Sequence, residues 1–200
     1  MAKNPSKLVH LVNQFYQFVQ LSLFFWERLF SKAIVYGWIE SIYAILYLNH
    51  YPEFQEMGYS EKRIETRLNL KHQKKVSLIF SFLLASIAFI LWYQVRFVHD
   101  ALFLLIVLGM FLQIFMVYIV WVAFLAIQEP SGAFIFAKAF DKMIRRFSVS
   151  FSIWLLFVFS VLIAYMNLII FFMIVPGICL KIIDKLLKRD EVLRMKRITN

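Results

Sequence analysis

Four charged residues, Glu27, Arg28, Lys32 and Glu40, stand within Leu21–Asn49, a stretch otherwise suited to lipid. A charge at the centre of a membrane-crossing helix costs roughly 2.5–3.5 kcal/mol on insertion scales, so it must be paired, hidden or neutralised. Glu40 falls near the middle of the apolar run 33–49. A carboxyl there can hold a proton or cation, balance a neighbouring cation, or donate a hydrogen bond while protonated. Against a transport role stands the plainer one of a helix-packing pair with Arg28 or Lys32, and a relay would want a second charge at the same depth. Glu27 and Arg28 are adjacent and do not face each other on a helix. With Lys32 they fall at the expected outer boundary, where water can solvate them.

Asn13, Gln17 and Gln20 recur at helical spacing and form, with Glu40, the candidate set for polar contacts inside a membrane. A second candidate surface is Lys138, Lys142, Arg145 and Arg146, which share a helical face with Asp141, while Ala137, Phe140, Ile144 and Phe147 occupy another. That pattern suits a helix lying on anionic lipid headgroups or docking on an acidic protein surface. No phosphate-cradling glycine loop, HExxH or paired-cysteine pattern, or GxSxG elbow occurs. No enzymatic activity, cofactor or metal is therefore expected. His10, His50, His72 and His99 are spread over different segments and read as interfacial residues. Cys179 has no partner for an internal disulfide and reads as a packing residue.

These residues sit in a chain that is 62% hydrophobic and 17% charged, which leaves too little polar surface for a soluble globule. The fold expected is an all-α, polytopic transmembrane helical bundle of about six spans, near 9–28, 33–49, 76–95, 101–127, 149–165 and 168–183. The first could instead lie along the interface. Cytoplasmic loops are expected at 50–75, with a short helix from about Ser60, and at 128–148, which carries the amphipathic interfacial helix. A basic tail at 184–200 leaves the membrane. The uncharged run Phe147–Leu180 would be about 51 Å long as a single helix, too long for one ordinary crossing, and it divides near Tyr165-Met166-Asn167.

With both termini inside, six crossings put 19 Lys and Arg residues on inner segments and 3 on outer ones, as positive-inside topology requires. Five crossings would export the most basic segment. The net charge of +10 thus reads as topology and contact with anionic lipid, with no nucleic-acid partner. Trp26 and Trp92 fall near outer ends and Trp121 and Trp154 near inner ends, as aromatic anchors do.

The order of segments resembles the YesL-like family of small bacterial membrane proteins of unknown function. The resemblance lies in FYQFVQLSLFFWERLFSKAIVYGWIESIYAILYL, in the basic segment before Val76, and in AIQEPSGAFIFAKAFDKMIRRF with the apolar hairpin after it. Phe25-Trp26, Tyr36-Gly37 and Ser41 match the family pattern, whereas Glu40 stands where that pattern has proline. The resemblance implies a bacterial plasma-membrane protein associated with carbohydrate ABC importers, and it supplies no catalytic residues. The function expected is an accessory or interaction subunit beside ABC permease subunits. The alternative is a small independent transporter or channel using Glu40.

Overall fold

The computed structural model describes residues 7–51, 73–97, 102–129 and 134–198. Every element among them is α-helical: α1 (Lys7–Ser31), α2 (Trp38–His50), α3 (Gln73–Phe97), α4 (Leu102–Gln128), α5 (Ile135–Arg145), α6 (Phe147–Met166) and α7 (Leu168–Ile198). The helix expected near Ser60 and residues 130–133 of the expected loop 128–148 lie outside the described residues.

The short helix α2 is the axis of the bundle. Trp38–Leu46 is buried without a break, and Ile39, Ala44, Ile45 and Leu46 are fully inaccessible. α1, α4 and α7 pack around it, with α3 at its edge. α2 has 13 residues, about 20 Å at 1.5 Å per residue, short of a hydrocarbon layer of about 30 Å. The expected span 33–49 is therefore a short core helix that begins at Trp38. Its apolar residues face other helices, and Glu40 sits in its first turn rather than near its middle.

Two helices among the described residues are long and apolar enough to cross a membrane, Ile106–Gln128 within α4 and the whole of α6. Six crossings are not supported by these helices. The two differ in what covers them: over half of the α4 segment is buried by the chain, against 17% of α6. Phe151, Phe159, Leu162 and Met166 of α6 all face outward.

The expected division of the apolar run at Tyr165-Met166-Asn167 is present. α6 ends at Met166, and Asn167 takes an extended conformation with φ −154° and ψ 102°. Its Oδ1 accepts the Ile170 N–H at 3.1 Å, which caps α7. α7 then runs unbroken for 31 residues. The start of the expected tail is consequently core: Asp184 and Leu187 are buried against the bundle.

The link between α1 and α2 is tight and strained. Ala33 and Ile34 have φ of 54° and 62°, a region that costs a β-branched residue dearly. The Ile34 N–H donates to Leu29 O at 3.0 Å and the Val35 N–H to Ala33 O at 2.6 Å, which holds the reversal in place. Gly37 lets the chain return against α1, since a Cβ there would meet Leu29 O at 2.9 Å. Ile34 is 42% exposed, so its side chain contributes little to the core. Ile34→Gly is therefore expected to stabilise the protein by up to about 1 kcal/mol, because relief of strain of about 1–3 kcal/mol outweighs glycine's entropic cost. Thermal unfolding in detergent micelles measures this, and a lowered midpoint would refute the strain.

Candidate functional site

The charges of the 21–49 segment converge where α1 ends and α2 begins. Arg28, in the last turn of α1, places Nη1 3.1 Å from Glu40 Oε1. Lys32 Nζ lies 3.7 Å from Oε2 of the same carboxylate. Both Arg28 and Glu40 are about 5% exposed, whereas the Lys32 side chain is 41% exposed. The Arg28 guanidinium also stands over the Phe24 ring, 5.5 Å from its centroid. Position in the first turn of α2 adds the favourable field of a helix N-terminus to the Glu40 carboxylate. Arg28 is thus a buried partner of Glu40, not a solvated boundary residue. The two candidate partners read from the sequence both belong to this cluster, and their role is charge compensation within one chain.

Asn13, Gln17 and Gln20 do not join it. All three are exposed on α1, on surface that this chain leaves uncovered.

A second polar cluster was not foreseen. Asp184 of α7 is 4% exposed, and its Oδ2 pairs with Lys188 Nζ at 2.8 Å, one helical turn on. His50 Nδ1 at the end of α2 stands 3.8 Å from Asp184 Oδ1. Lys188 Nζ also donates to Asn49 O at 3.2 Å, which satisfies a carbonyl at the C-terminus of α2. α2 is therefore fastened by an ion pair at its start and by the Lys188 hydrogen bond to its Asn49 carbonyl at its end. An aspartate four residues before a lysine was the available signal, but the pair looks the same on a solvated helix.

A third arrangement replaces a hydrogen bond missing inside α7. Pro176 lies inside α7 and has no N–H to give the Phe172 carbonyl four residues back. Trp26 Nε1–H from α1 donates to that oxygen at 2.9 Å instead. Ser22 Oγ accepts the Gly177 N–H at 2.9 Å. Trp26 is thus a structural donor to α7. Trp121 likewise is fully buried and donates to Ser150 Oγ at 3.0 Å.

On the expected interfacial helix α5, Ile135 and Ala139 face the core, and Phe140, Ile144 and the following Phe147 are 55%, 58% and 71% exposed. The basic residues beside them are largely neutralised. Lys138 pairs with Glu129, Arg145 with Asp141 at 2.7 Å, and Arg146 with Asp190. Arg146 also stands over the Trp121 ring at 5.6 Å, and Lys142 Nζ reaches Gln128 Oε1 at 3.4 Å. The hydrogen bond and charge of Lys138 hold the Glu129 carboxyl below the usual carboxylate range. A depressed pKa contributes stability that is complete above the unfolded value and is lost as pH falls through the folded one. Glu129 is fully exposed, so the effect on stability is small. Lys138→Met is expected to move its titration up toward the ordinary range, with the charge of Lys142 still lowering it, and carboxyl-carbon NMR would show no movement if the pair were absent in solution.

Taken together, these contacts neutralise charge and satisfy backbone groups. Among the described residues, no three His, Cys, Asp or Glu side chains are grouped as metal ligands. Comparison with family models, curated proteins and solved structures gives no match.

Proposed function

We propose that the protein is a multi-pass component of a bacterial plasma membrane, with both termini cytoplasmic, that acts without catalysis as an accessory subunit of a larger membrane assembly. The observation that carries this reading is α6, a charge-free helix of 20 residues with only 17% of its length covered by the chain. Outward rows of Phe, Leu and Ile on that scale mark a lipid or protein contact. The exposed stripe of Phe140, Ile144 and Phe147 continues the apolar surface onto α5, where paired basic residues border it. On this reading α5 lies at the cytoplasmic interface, on anionic headgroups or an acidic partner. Exposed Asn13, Gln17 and Gln20 are then available to another membrane helix.

Permease subunits of a carbohydrate ABC importer are the partner class proposed, on the resemblance set out from the sequence. The alternative, a small transporter or channel built on Glu40, is disfavoured because Arg28 and Lys32 already compensate that carboxylate. Gentle affinity purification followed by identification of copurifying membrane subunits tests the proposal. Recovery of a permease pair with its ATPase is expected, and isolation of a homo-oligomer alone would refute it.

A further inference from the structure

A cavity of about 260 Å³ lies inside the bundle, walled by α1, α2, α3, α4, α6 and α7. Trp26, Trp38, Phe157, Pro176 and Cys179 line it, and the most exposed of its lining residues are Leu84 of α3 and Val161 of α6. α3 packs on α4, while α6 packs on α4, α5 and α7, so the mouth lies between α3 and α6. Phe157 is about halfway along α6, and Gln113 and Met116 are near the middle of the apolar segment of α4. The cavity therefore sits at mid-depth of both candidate spans and opens sideways.

Apart from the Gln113 amide, its polar groups are committed elsewhere. Trp26 donates to Phe172 O, Trp38 to Ser81 Oγ at 3.2 Å, and Ser160 to Leu156 O at 2.8 Å. Cys179 Sγ lies 2.9 Å from the Ser160 hydroxyl. A wall of this kind offers water too few partners, and apolar cavities of about 150 Å³ stay dry and take up apolar guests. A compact space of this volume is about 8 Å across and suits one flexible hydrocarbon chain.

We propose that this cavity takes one hydrocarbon chain of a membrane phospholipid, entering between Leu84 and Val161. The proposal rests on the membrane placement argued above and goes beyond it by assigning an intramolecular lipid site. A chain threaded there would touch Cys179 and the Pro176 segment of α7, and so couple lipid occupancy to the one proline-interrupted helix among the described residues.

Photocrosslinking tests this with the full protein reconstituted in vesicles of phosphatidylcholine carrying a mid-chain diazirine. Adducts are expected on Cys179, Val175 and Phe157 as well as on outward-facing Phe151, Phe159 and Leu162. Val161→Trp, which fills the mouth at an exposed position, is expected to lower the cavity adducts several-fold while leaving the outward ones unchanged. Leu84→Trp on the opposite lip provides a second variant should the first not fold. Outward adducts without cavity adducts, or cavity adducts indifferent to both variants, would overturn the lipid site alone. No adducts on either surface would overturn the membrane placement. Cavity labelling by a diazirine fatty acid but not by the phospholipid would overturn the assignment to a bilayer lipid.

Discussion

Glu40→Leu is expected to destabilise the protein by about 3–5 kcal/mol, because it leaves the Arg28 guanidinium buried without its carboxylate. Arg28 is about 5% exposed and lies at the end of α1 over Phe24, so it has little room to reach water. Arg28→Met costs less, since half-exposed Lys32 remains 3.7 Å from Glu40 and can close on it. The double substitution Arg28→Met with Glu40→Leu is expected to recover most of the loss, as replacement of a whole buried pair by apolar residues is often neutral. Unfolding of each variant in detergent micelles measures the three values. A Glu40→Leu protein as stable as its parent would show that the pair is solvated and unimportant. Non-additivity in this cycle is the diagnostic result, since a transport carboxylate acting alone predicts no rescue by a change at Arg28.

Gly177→Ala is the second large effect. A Cβ at that position would lie 2.5 Å from Phe18 O and 3.0 Å from Ser22 Oγ, and the first of these is backbone that cannot swing aside. α1 and α7 would have to separate there, weakening the bond from the Gly177 N–H to Ser22. The expected cost is about 1–3 kcal/mol. Gly109 of α4 is the control, because a Cβ there meets nothing within 4 Å. Gly109→Ala should therefore stabilise its helix by up to about 1 kcal/mol. Equal effects at the two glycines would mean that α1 and α7 are not in close contact.

The helical class, the break before α7 and the two faces of α5 were legible in the sequence because each has a local cause. Runs of uncharged residues too long for one crossing force a break, and Asn167 supplies a cap where it falls. The spacing of Ala137, Phe140, Ile144 and Phe147 needs no knowledge of neighbours. The role of 33–49 was not legible, since Ile, Ala and Leu look the same whether they face lipid or other helices. Its true start depends on the strained reversal at Ala33 and Ile34, residues without turn propensity. The partner of Glu40 could be narrowed to Arg28 or Lys32 because both are near in sequence. The contacts of Asp184 with His50 and of Pro176's helix with Trp26 could not, because more than a hundred residues separate the partners. The basic face of α5 reads from sequence as a strong positive surface, but carboxylates on α7 and beside α5 offset it.

The repair of α7 by α1 also sets an order of assembly. Ser22 is made 155 residues before the amide it accepts, and Trp26 146 residues before the carbonyl it serves. At about 5–20 residues per second of synthesis, that interval is on the order of ten seconds or more. α1 thus completes its contacts with α7 only after α7 has been made. Until then the Ser22 hydroxyl and the Trp26 indole N–H of α1 stand without the α7 groups they later bond.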